Sequence, residues 1–77
     1  MVESFRTFYE GLLAMVSEGV PAPFIVDRIR RALPDPASRK SLLGHLRDSR
    51  NALEAEGKNQ AAETLDQVIK TVESSDR

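Results

Sequence analysis

Apolar residues return every three or four positions along most of the chain, and prolines and glycines interrupt the pattern at a few places. In the first segment they are Val2, Phe5, Phe8, Tyr9, Leu12, Leu13, Met15 and Val16, with Glu3, Arg6, Thr7, Glu10 and Ser17 mostly on the other side. That spacing predicts a helix over about 2–18, with one broad apolar face. Gly19 stands where a left-handed residue closes a helix, and Pro21 and Pro23 cannot lie in a helix interior. Pro23 suits the first turn of a second helix, over about 23–33, where its missing N–H has no partner to lose. Phe24, Ile25, Ile29 and Leu33 supply its apolar positions. Asp27 lies toward its positive end, and Arg28, Arg30 and Arg31 toward its negative end. Pro34 stops it by disfavouring the α conformation at Leu33.

Asp35-Pro36 is the clearest helix start in the chain, an N-cap followed by proline at the first helical position. The third helix is predicted over about 36–56, with Leu42, Leu43, Leu46, Ala52 and Leu53 as its apolar positions. Gly57 supplies a C-cap and Asn59 an N-cap. A fourth helix over about 59–73 then carries Ala61, Ala62, Leu65, Val68, Ile69 and Val72, with residues 74–77 as a fraying tail. A loop as short as Gly57-Lys58-Asn59 makes the last two helices an antiparallel pair. Only Gly57 and Ala62 fall where a tetratricopeptide unit wants small residues, and there is no second copy. No stretch alternates as a strand does. The expected fold is therefore all-α. It is one domain of 77 residues, a small bundle of three to four short helices with a C-terminal antiparallel helical hairpin.

Size and composition narrow the rest. A chain of this length draws only about 3–5 kcal/mol from its core. Disulfides and thiolate zinc sites are excluded because there is no cysteine, and one histidine cannot build a histidine-rich site. No cofactor or metal is expected; self-association remains as a source of stability, so a homodimer is one expectation. The longest apolar run, Leu12 to Val16, is far too short to span a bilayer, and Glu3 and Arg6 flank the first apolar residues with charge. These features lead us to expect a soluble, cytoplasmic protein without membrane contact. Eight arginines against three lysines, with frequent alanine, hint at a bacterial or phage source.

Net charge is −1, but it is unevenly spread. Residues 1–27 carry one basic and four acidic side chains, residues 28–50 seven basic and two acidic, and residues 51–77 three basic and six acidic. A basic middle between acidic ends has three readings. It can pair with the acidic last helix of its own chain or of a second subunit, it can dock an acidic protein, or it can neutralise nucleic-acid phosphates. The pI of about 5.8 speaks against a dedicated nucleic-acid domain. A helix-turn-helix reading would present Ser38, Arg39, Lys40 and Ser41 to DNA, but its turn, Leu33-Pro34-Asp35-Pro36, lacks the usual glycine.

Candidate chemistry is sparse. Ser41, His45 and Asp48 share one stripe of the third helix, as nucleophile, base and orienting carboxylate would, yet no glycine-rich elbow offers an oxyanion hole. His45 alone, near Leu42 and Leu46, suits the edge of a core or interface. The helix start from Asp35 to Lys40 offers free N–H groups to an anion, as any helix start does. Glu54 with Glu56, and Glu63 with Asp66, lack the oxygen-rich loop that calcium or magnesium needs. Phe5, Phe8, Tyr9 and Phe24 all lie in the first third, and the first helix has more apolar surface than three short helices easily cover. The expected partner-binding residues are therefore Phe5, Phe8, Tyr9, Leu12 and Met15, with Arg28, Arg30, Arg31, Arg39 and Lys40 as a second group. They point to a non-catalytic protein-binding or regulatory module of the inhibitor, adaptor or antitoxin-like kind. The alternative is a small nucleic-acid-binding protein using residues 28–50.

Overall fold

Four helices are present in the computed structural model, which describes residues 4–75. They are α1 (Phe5–Ser17), α2 (Ala22–Ala32), α3 (Pro36–Ala55) and α4 (Asn59–Ser75), with no strand among the described residues. The all-α bundle expected from the apolar spacing is the fold observed.

The helix ends follow local chemistry. Ser4 caps α1, its Oγ accepting from the Thr7 N–H at 3.1 Å, so the helix begins at Phe5 rather than near Val2; residues 1–3 lie outside the described chain. At the other end Gly19 takes φ +82°, its N–H bonds to Val16 O at 3.1 Å, and Val20 N–H reaches Met15 O at 3.0 Å. This paired closure satisfies two end carbonyls and tucks Val20 against the core beside Met15. α3 closes the same way, with Gly57 at φ +80° and Lys58 N–H bonded to Leu53 O at 2.8 Å. α2 stops at Ala32 because Pro34 pushes Leu33 out of the helical region, to φ −126° and ψ 78°. Asp35 caps α3 as read from sequence, Oδ2 accepting from Ser38 N–H at 3.2 Å. Two expectations for α4 are corrected. Asn59 is its first residue rather than its cap, the Lys58 carbonyl taking the Ala62 N–H at 3.1 Å. The helix also runs on through Ser74 and Ser75, where the Ser75 hydroxyl bonds Thr71 O at 3.0 Å and accepts from Arg30; residues 76–77 lie outside the described chain.

One core holds the four helices. α1 contributes Phe8, Leu12 and Val16, α2 Ala22, Ile25, Val26 and Ile29, and α3 Leu42, Leu43 and Leu46. α4 contributes Leu65, Val68, Ile69 and Val72, with buried Ala62 one turn earlier, and packs against each of the other three. The bundle measures 33 × 31 × 19 Å, so its thinnest direction is only about two packed helices deep. α4 is the element the others share, which is why its apolar stripe runs nearly its whole length. α3 and α4 are antiparallel, as the short loop requires: Arg47 pairs with Glu73 and Arg50 with Asp66, so advance along one helix is retreat along the other. No described polar or charged residue is buried.

Three expected apolar positions miss the core, Phe5 of α1 at 43% exposure among them. Ala52 is exposed on α3. Phe24, expected on the buried face of α2, is 66% exposed. At 3.6 residues per turn the seam drawn by Ala22, Ile25, Val26 and Ile29 puts position 24 on nearly the opposite side of the helix.

Candidate binding surface

The expected anchors on α1 divide between core and surface. Phe8 and Leu12, at 4% and 0% exposure, are spent on the core and offer nothing to a partner of the folded bundle. Their i, i+4 spacing with Val16 defines the face that meets the other helices. Met15 is half-buried and packs against that core. Phe5, 43% exposed, and Tyr9 remain toward the surface, and both meet His45 of α3. The Phe5 and Tyr9 rings stack with centroids 6.5 Å apart, and the His45 ring tilts against them at 5.4 Å and 5.8 Å. Tyr9 is fixed in place: its hydroxyl donates to His45 O at 3.0 Å and is closely bonded to the Ser49 hydroxyl. His45 therefore belongs to an aromatic contact between α1 and α3. No hydrogen bond joins it to Ser41 or Asp48 among the described residues, and all three are exposed.

The arginines do not form one surface. Arg47 and Arg50 turn toward acidic α4, to Glu73 and Asp66, with Arg50 Nη1 2.7 Å from Asp66 Oδ1. Asp66 also takes Lys70 at 2.8 Å. The hydrogen bonds from Lys70, and then from Arg50, hold the Asp66 carboxyl below its ordinary range against the opposing pull of partial burial. Pairing of the basic middle with the acidic last helix of its own chain thus accounts for part of the charge pattern. Arg39 reaches back to the end of α2 and donates to Leu33 O at 2.8 Å, satisfying a helix-end carbonyl. Arg30 donates to Ser75. Lys40 is exposed.

What remains is the outer face of α2. The Arg28 guanidinium lies 5.5 Å from the centroid of the Phe8 ring, the cation over an aromatic face. Arg31 pairs with Asp27 one turn back at 3.0 Å, both side chains well exposed. Phe24 stands one turn before Arg28 on the same side. Exposed phenylalanine beside arginine is the surface composition that binding hot spots favour. Spacing alone places Phe24 inside, with Ile25 and Ile29. The signal that finds it is the seam of Ala22, Ile25, Val26 and Ile29, which leaves positions 24, 27, 28 and 31 outward.

Concave surface is shallow and mixed in character. An open depression between α2 and α4 is lined by Val26, Asp27, Arg30, Gln67, Lys70 and Thr71. A second lies where the α1–α2 and α3–α4 turns meet, with Glu18, Lys58, Gln60 and Thr64 among its walls. No group of three or more acidic or histidine side chains among the described residues stands as metal ligands would. No helix among them is long and apolar enough to cross a membrane. No protein-family model, curated protein or solved structure matches the chain.

Proposed function

We propose that this chain is a non-catalytic protein-binding module, regulatory in effect, that presents exposed aromatic and arginine side chains from a small helical bundle. The observation that supports it is Phe24. A phenylalanine two-thirds exposed, beside Arg28 and Arg31 and on the far side of a well-buried helix, lowers the free energy of the lone chain very little. It gains its burial when a partner covers it, and arginines around it give that partner a charge to match. The cluster of Phe5, Tyr9 and His45 is a second apolar exposure, more fully used in joining α1 to α3.

The competing reading assigns residues 28–50 to nucleic acid. It has fewer charges to work with than the sequence implies, since Arg47 and Arg50 are directed to α4 and Arg39 to the α2 end. A photo-crosslinking residue in place of Phe24, and in a second protein in place of exposed Glu54, tests both in lysate with and without nuclease. The binding-module reading expects one discrete protein adduct from position 24, unchanged by nuclease and absent from position 54. Adducts that vanish with nuclease, or equal labelling from both positions, contradict it.

A further inference from the structure

We draw no further inference here: the strongest candidate, the outer face of α2 around the exposed Phe24, has its charges already engaged, Arg31 with Asp27 and Arg28 over the Phe8 ring, and nothing in the structure shows what covers it.

Discussion

Phe8 and Phe24 are alike in sequence and opposite in place, and truncating each separates the core from the surface. Phe8 is 4% exposed and lies beneath the Arg28 guanidinium, whereas Phe24 is 66% exposed. Phe8→Ala removes a fully packed ring, at a cost of about 3–5 kcal/mol. Losing the cation's partner adds roughly 0.5–1 kcal/mol. A domain of this size has only about 3–5 kcal/mol in hand, so Phe8→Ala should be largely unfolded in plain buffer. Phe8→Leu is the graded form: a loss of about 1 kcal/mol, or about 1 M in urea midpoint at a slope near 1 kcal/mol per molar. Phe24→Ala should shift the midpoint by less than about 0.5 M in either direction, since the ring is mostly in water and alanine is the better helix former. Urea titrations followed by far-UV circular dichroism measure all three. A folded Phe8→Ala protein with an unchanged midpoint, or a Phe24→Ala protein as weak as Phe8→Leu, would refute the placement of the two rings.

Four further outcomes concern other parts of the bundle. Gly44, inside α3 with open space where a Cβ would go, should tolerate Gly44→Ala with a gain of about 0.5–1 kcal/mol. By contrast, Gly57→Ala at φ +80° should lose about 1–2 kcal/mol. Opposite shifts in thermal midpoint check both. Tyr9→Phe removes the hydroxyl that donates to His45 O and should cost about 0.5–1.5 kcal/mol in the same urea assay. Asp66 is held below its unfolded carboxyl value by Lys70 and Arg50. Its contribution to stability is therefore complete above the unfolded value of about 3.9 and lost as pH falls through the lower folded value. The midpoint gap between wild type and Asp66→Asn should be constant near neutral pH and close below about pH 4; a gap that widens in acid would reverse the sign.

Helix number and order were legible because prolines and glycines at Gly19, Pro34, Asp35-Pro36 and Gly57 act through local backbone geometry, which needs no tertiary information. The antiparallel hairpin followed from loop length in the same way. The ends of α1 and α4 were harder. Ser4 competes with Val2 for the helix start, and the Arg30 contact that helps hold Ser75 comes from a helix 45 residues away. The surface was the least legible part. An apolar residue next to a seam looks like a member of it, so Phe24 passed for core, and Phe8 and Leu12 for anchors. The basic segment looked like one patch because sequence counts charges but does not show that Arg47 and Arg50 turn toward α4 while Arg39 turns to the end of α2.

Amide chemical-shift mapping of the intact chain, titrated with the protein that crosslinks to position 24, tests the central claim most directly. The claim predicts shifts that cluster on α2 around Phe24, Arg28 and Arg31 and fade on α3, with the buried positions of α4 unmoved. Shifts centred on Phe5, Tyr9 and His45, or on the Arg30 and Lys70 depression, would contradict it.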